Sequence, residues 1–226
     1  MTEEGIMKGK LIVFEGTDGS GKATQVKLLS DYLSKKNIDH EVISFPRYGE
    51  NLYANLVRRY LDGEFGNKGK LNPYIISLAF AGDRALAKPL IEKWLKMRKT
   101  VIVDRYVSSS KAHMAAELPE NDREKFIKWL DDLEYKTNKI SREDLTVFLN
   151  LPAEISSSHM DLRKKDILEE DLKHQKNTGN IYLELAKQKN WIKINCTKKG
   201  KMKSKEEIHK EIIKVLVDYV QFHERS

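Results

Sequence analysis

What this sequence has least of is cysteine: one residue, Cys196, in 226. No intramolecular disulfide can form. Cys196 also lacks cysteine or histidine neighbours at metal-ligand spacing, so a disulfide scaffold and a structural zinc site are both excluded. A reducing cytosol fits this usage. His113, His159, His174 and His209 are likewise isolated from other ligand types and read as surface or packing residues. Long apolar runs are missing too. The run that follows the N-terminal segment, Leu11 to Phe14, is far too short for a signal-peptide core or a membrane span, so a cytoplasmic protein with no membrane partner is expected. No Pro/Ser-rich linker and no solenoid-like repeat interrupts the chain, which predicts one domain over residues 1–226.

What is present is a globular composition, 40% hydrophobic and 33% charged, which excludes wholesale disorder. The 41 basic residues exceed the 34 acidic ones, giving a formal charge of +7. They are spread along the chain, which suits a phosphorylated small molecule as well as nucleic acid. The run Lys198 to Lys205, KKGKMKSK, has no interleaved aromatics and reads as a solvated loop before a helix, placed near the adenine end of a nucleotide. Binding to nucleic acid is not expected.

Short apolar runs alternate with longer helical stretches: Leu11 to Phe14, Glu41 to Phe45, Val101 to Val103, Leu145 to Leu151 and Trp191 to Asn195. Continuous apolar strands separated by helices predict a three-layer α/β/α sandwich around a parallel sheet of about five strands. The first helix is expected to end near Asn37 in a left-handed cap, and the last to open with the capping-box pair Ser204 and Glu207 and run to about His223. Between them, Pro89 should kink or split a helical segment from about Pro73 to Met97. The polar stretch from about 162 to 179 is expected to form a mobile helical flap.

Directly after the strand LIVFE comes Gly16-Thr17-Asp18-Gly19-Ser20-Gly21-Lys22-Ala23-Thr24, followed by a helix, which is the context a phosphate-binding P-loop requires. The glycines let successive N–H groups turn inward around phosphate oxygens, and the helix adds its positive end. Lys22 then reaches the β- and γ-phosphates of ATP. The position after the lysine, normally Ser or Thr for Mg²⁺, is Ala23. Thr24, turned by roughly 100° along the helix, bonds a phosphate more readily than it replaces that ligand. Mg²⁺ is expected to bind mainly through waters and nucleotide oxygens. Asp104, ending the strand Val101 to Val103, can orient a metal-bound water, and Arg105 can neutralise charge during transfer; a structural ion pair accounts for the same dipeptide. No Ser/His/Asp or Cys/His set stands out, and a phosphate acceptor needs none, being largely dianionic with a second pKa of about 6.

The segments FEGTDGSGKATQ, FPRYG, FAGDRA, DRYVSSS and DLTVFLNLP resemble, in the same order, those of the thymidylate kinases. The resemblance implies an ATP-dependent kinase converting dTMP to dTDP, acting as a homodimer. It implies that Asp18 meets the sugar 3′-hydroxyl, Arg47 and Arg84 hold the acceptor phosphate, Phe80 stacks on the base, and Arg105 clamps both phosphates. Ser109, Ser110 and Met114 line the acceptor site, with Met114 standing where a glutamine is usual. In the flap, Arg163 with Lys164 and Lys165 closes over ATP. For Phe80 core packing, and for Arg47 and Arg84 a solvated surface charge, are the alternative readings. Met114 leaves open a kinase for dUMP, UMP or a purine nucleotide, and Ala23 leaves open a non-catalytic ATP-binding regulator.

Overall fold

A computed structural model describes residues 9–66, 71–159 and 171–219. Five parallel strands, β1 (Lys10–Glu15), β2 (His40–Ser44), β3 (Thr100–Asp104), β4 (Leu145–Asn150) and β5 (Trp191–Asn195), lie in the order β2-β3-β1-β4-β5. All five strands read from the sequence are present. Because successive side chains in a strand point to opposite faces, Leu11, Val13, Val101 and Val103 enter one core while Ile12, Phe14 and Ile102 enter another. The first core is covered by α2 (Leu52–Leu61), α3 (Pro73–Lys96), α4 (Val107–Ala115), α5 (Glu120–Asp131) and α7 (Leu172–Leu185). The second is covered by α1 (Lys22–Lys35) and α8 (Lys205–Tyr219), through Val26, Leu29, Leu33, Ile208, Ile212 and Leu216. This is the three-layer arrangement the alternating pattern predicts.

The helix ends follow local chemistry. Helix α1 stops before Asn37, which has a φ of 54°, the left-handed geometry asparagine tolerates. At the start of α8, Ser204 Oγ accepts from Glu207 N at 3.1 Å and Glu207 Oε2 accepts from Ser204 N at 2.9 Å, the reciprocal capping box. Two expectations are corrected. Of the kink or split expected at Pro89, the split does not occur: α3 is one helix of 24 residues. The reason is that Ala87, Ile91 and Leu95 are anchored in the core, while Pro89 lies on the exposed side and forgoes a single backbone bond. The lysine-rich run is not wholly loop either. Thr197–Lys198 (β6) pairs antiparallel with Lys201–Met202 (β7) across Lys199 and Gly200, whose φ values of 51° and 76° suit a tight hairpin turn. Of the expected flap, 162–170 lies outside the described residues, and Leu172 onward is helix α7, preceded by α6 (Ala153–His159). The end expected for the last helix near His223 also lies outside them.

Three neighbouring strands, β2, β3 and β1, finish side by side. Ser44 pairs with Asp104, and Asp104 with Phe14, so the segments that follow these ends emerge along one edge, where open parallel sheets bind ligands. Helix α2 is tied to that edge by Asn51, whose Oδ1 caps Ala54 N at 2.9 Å and whose Nδ2 donates to Asp83 Oδ1 at 2.7 Å. Asn51→Ala is expected to cost about 1 kcal/mol for the cap and a further 1.5–3 kcal/mol for the hydrogen bond to a charged group. Urea unfolding checks it; a loss below about 0.5 kcal/mol contradicts the assignment.

Candidate active site

The P-loop leaves β1 through Gly16, Gly19 and Gly21, at φ 151°, 76° and 88°. A Cβ at Gly16 would stand 2.7 Å from both Leu149 O and Ser20 Oγ, so no larger residue fits. The Lys22 ammonium bends back over the loop and donates to the carbonyls of Gly16 and Thr17, both at 2.9 Å. Ser20 Oγ is buried without a hydrogen-bond partner among the described residues. An orphaned hydroxyl and a cation curled over glycine carbonyls make a cradle that suits phosphate oxygens. Ala23 and Thr24 are exposed at the start of α1. Burial lowers the Lys22 ammonium to about 8, with Arg105 acting in the same direction and Asp18, Asp104 and Glu15 opposing.

Against this loop stands Arg105, whose φ of 65° is unusual for a residue with a side chain. Its Nη2 donates to Asp18 Oδ1, and its Nη1 reaches Ser109 Oγ at 3.5 Å and His113 Nε2 at 3.4 Å. Burial works against its charge, but Asp18, with Tyr182, Asp104 and Glu15 behind it, holds the guanidinium above its ordinary value. Asp104 Oδ1 is buried and has no hydrogen-bond partner among the described residues.

Arg47 and Arg84, the two arginines expected at the acceptor, each meet a carboxylate. Arg47 Nε donates to Asp83 Oδ1 at 2.9 Å and its Nη2 to Asp83 O at 3.0 Å, while Arg47 N donates to Asp83 Oδ2 at 2.8 Å. Arg84, 2% exposed, donates through Nε to Glu134 Oε1 at 2.8 Å and through Nη2 to Ser110 Oγ at 2.9 Å. The structure therefore groups Arg84 with Ser110, and it groups Arg47 separately with Asp83. Neither arginine is a solvated surface charge. Phe80, one helical turn before Arg84 on α3, is partly buried against the core. Met114 is 1% exposed and forms part of that core, so it adds an apolar wall and no polar group. Arg163, Lys164 and Lys165 lie outside the described residues.

A family model for thymidylate kinase matches residues 14–212. A thymidylate kinase of Mycobacterium tuberculosis is 34% identical over 185 residues, covering 79% of this chain and 86% of that protein. A probable thymidylate kinase of Methanocaldococcus jannaschii is 37% identical over 205 residues, covering 89% and 93%. The chain belongs to the thymidylate kinase family. A solved thymidylate kinase from Candida albicans superposes with a TM-score of 0.75 over 93% of this chain and 92% of that one, and at 23% identity carries the fold alone.

Sequence reading of this thymidylate kinase family member missed four residues that the fold brings to the site. Glu15 is fully buried and accepts from Tyr106 N at 2.9 Å, Ser109 N at 3.0 Å, Ser109 Oγ at 2.7 Å and Tyr182 OH at 2.8 Å. Burial raises its carboxyl pKa against the pull of those donors, Ser109 and Tyr106 foremost. The Ser109 hydroxyl, expected to face the acceptor, is thus committed to Glu15. Of the surface and packing readings, His113 takes the second: it borders Arg105, and its ring lies 5.9 Å from that of His174. Burial lowers it to about 3, so it is neutral and accepts from Arg105. Tyr182 and Glu134 complete the set. One signal was available in the sequence for Glu15, an acid closing an apolar strand just before a glycine loop.

If Lys22 binds phosphate as its ammonium, kcat/KM for ATP, which reports the free enzyme, is expected to fall about tenfold per unit as pH rises above about 8. Lys22→Arg should move that limb beyond pH 10. A flat profile to pH 10 in the wild type contradicts the lowered ammonium.

Proposed function

We propose that this member of the thymidylate kinase family transfers the γ-phosphoryl group of ATP to dTMP, giving ADP and dTDP, by positioning and charge neutralisation without a covalent enzyme intermediate. The supporting observation is the convergence of Lys22, Asp18, Asp104 and Arg105 where β1 and β3 end together. In this reading the P-loop N–H groups cradle the donor phosphates and Lys22 supplies a point charge to them. Asp18 meets the sugar 3′-hydroxyl, and Arg105, held by Asp18, lies between donor and acceptor, where negative charge spreads during transfer. Arg47, oriented by Asp83, holds the acceptor phosphate. Phe80 stacks on the base, with Ser110 beside it and Met114 behind. Arg163 of the flap is assigned to ATP by the resemblance.

The residues present fit Mg²⁺ through water. Asp104 Oδ1 is a buried oxygen without a hydrogen-bond partner among the described residues, and Ala23 offers no hydroxyl. Bound there, the ion would neutralise charge on the β- and γ-phosphates. A kinase for another monophosphate and a non-catalytic regulator are not favoured by the family membership.

We also read the protein as a cytoplasmic homodimer. Support for the dimer comes from α2 and α3, which turn Leu52, Tyr53, Leu56, Ile75, Leu78 and Leu86 toward solvent. The Tyr53 ring lies over Gly82, between Leu78 and Leu86, so the apolar strip is continuous. Among the described residues no helix is long and apolar enough to cross a membrane. Leu86→Glu is expected to yield a monomer in sedimentation; an unchanged mass would remove this face from the interface.

The decisive assay supplies ATP, Mg²⁺ and dTMP, dUMP, UMP, CMP, AMP or GMP separately, with Lys22→Ala as control. ADP release with dTMP and none in the control is the expected outcome, and no dTMP turnover overturns the reading. Arg105→Ala should lower kcat at least a hundredfold, about 2.7 kcal/mol, with ATP affinity changed less than about threefold. An unchanged kcat removes Arg105 from the transfer step.

A further inference from the structure

A cavity of about 230 Å³ lies between α4, the end of α5 and the segments that lead into β4 and β5, lined among others by Lys111, Asp131, Tyr135, Arg142, Glu143 and Asn190. Because the strands are parallel, these entry segments lie at the edge of the sheet opposite the one where the P-loop leaves β1. The phosphoryl transfer proposed above uses none of these residues. Lys111 is 6% exposed, and an ammonium taken that far out of water is costly unless it is compensated. Its Nζ stands 2.7 Å from Asp131 Oδ1, but that oxygen has no hydrogen-bond partner among the described residues. The pair is a contact of charges, and the N–H bonds of the ammonium are not spent on it. Arg142 lies with its guanidinium carbon 3.9 Å from the centre of the Tyr135 ring. Stacking leaves the edge of a guanidinium open, and among the described residues that edge makes no hydrogen bond and no ion pair. Lys111 Nζ is 5.8 Å from the same ring centre, so Tyr135 holds both cations at one cavity.

Unspent donors that converge from α4 and from the segment before β4 suit an anion. A guanidinium fork matches oxyanions, and an ammonium adds a point charge. The two come from different elements, so a tetrahedral ion, with oxygens in several directions, meets both, whereas a planar carboxylate presents its oxygens in one. The volume falls below the roughly 300–1,000 Å³ of sites for drug-sized ligands, which excludes a nucleotide. Two carboxylates share the cavity and limit its affinity: Asp131 stands beside Lys111, and Glu143 Oε2 accepts from Tyr135 OH at 2.7 Å. The walls of the cavity are also the sequence neighbours of the groups that hold Arg84. Ser110, which accepts from Arg84 Nη2, precedes Lys111, and Glu134, whose Oε1 lies 2.6 Å from Arg84 Nη2, precedes Tyr135. Glu134 and Tyr135 belong to a π-helical turn, Asp132–Thr137, a form scarce in proteins and concentrated at functional sites. An anion that draws Lys111 and Arg142 inward therefore pulls on both elements that hold Arg84.

We propose that this cavity is an effector site for a small tetrahedral oxyanion of the phosphate class, whose binding loosens the hold of Ser110 and Glu134 on Arg84. The site itself is independent of the acceptor reading. Its coupling rests on that reading, because Arg84 is expected at the acceptor.

The experiment uses the full chain and orthophosphate. In titration calorimetry, with the nucleotide sites filled by dTMP and a non-hydrolysable ATP analogue, one phosphate is expected to bind with a Kd on the order of 1 mM. Arg142→Gln, at an exposed position, should weaken that binding at least about tenfold through the lost charge-assisted bonds. Lys111→Met should weaken it as much, and Arg142→Gln alone decides the matter if the lysine variant does not fold. Without phosphate, the steady-state kinetics of Arg142→Gln should match the wild type within about twofold. Saturating phosphate should raise the wild-type KM for dTMP at least about fivefold more than that of Arg142→Gln, since competition at the active site is common to both. Equal phosphate binding by the wild type and Arg142→Gln, or acetate bound as tightly as phosphate, overturns the site. Binding lost in the variant with identical KM responses overturns the coupling. A wild type that does not phosphorylate dTMP overturns the acceptor reading, while the difference in phosphate binding between the wild type and Arg142→Gln still decides the site.

Discussion

The site depends on one buried carboxylate. Glu15 ends the central strand at 0% exposure, and its carboxyl oxygens accept from four protein donors: the backbone N–H groups of Tyr106 and Ser109, the Ser109 hydroxyl and the Tyr182 hydroxyl. Hydrogen bonds to a charged acceptor in a dry interior are among the stronger ones a fold can make. Here they fasten β1, the first turn of α4 and α7 to a single point. Tyr106 N is the group next to Arg105, and Arg105 N itself donates to Phe14 O at 3.0 Å. Bonds on both sides of Arg105 therefore over-determine a backbone conformation, φ 65°, that the residue would not adopt by itself. Its guanidinium is thereby set against Asp18 before any nucleotide arrives.

The same solution recurs twice among the cations. Arg47 is held by Asp83 and Arg84 by Glu134, each pair buried or nearly so. Such pairs contribute modestly to net stability because desolvation offsets their attraction. What they fix is direction, and a nucleotide recognised by hydrogen bonds is sensitive to the direction of donors. Asp83 itself is reached from two elements, by Arg47 after β2 and by Asn51 at the start of α2, so the Arg47 guanidinium is set by helix packing as much as by its own rotamer.

How much of this the sequence discloses depends on sequence separation. The P-loop is legible because its chemistry is contiguous: strand, glycines, lysine and helix fall within a dozen residues. The five strands are legible because a doubly covered sheet needs unbroken apolar runs. The capping box at Ser204 and the turn at Asn37 are legible for the same local reason. Glu15, by contrast, acquires its meaning from Tyr106, Ser109 and Tyr182, 91 to 167 positions away. Glu134 reads on the page as one more charge in DLEYKT, and a π turn has no dependable local signature. His113 looked isolated because its neighbours Arg105 and His174 come from a different turn and a different helix. A kink or a split was read at Pro89 because propensity is local; the split does not occur because Ala87, Ile91 and Leu95 hold α3 together through the core.

If Glu15 holds Arg105 in place, removing its charge while keeping its shape should impair transfer and spare donor binding. The direct measurement is single-turnover phosphoryl transfer from ATP to dTMP by Glu15→Gln, alongside ATP affinity. Loss of two charge-assisted bonds, together worth on the order of 3 kcal/mol, predicts a transfer rate reduced about a hundredfold with ATP affinity within about threefold. A rate within about twofold of the wild type would mean that Arg105 is held without Glu15, contradicting the account.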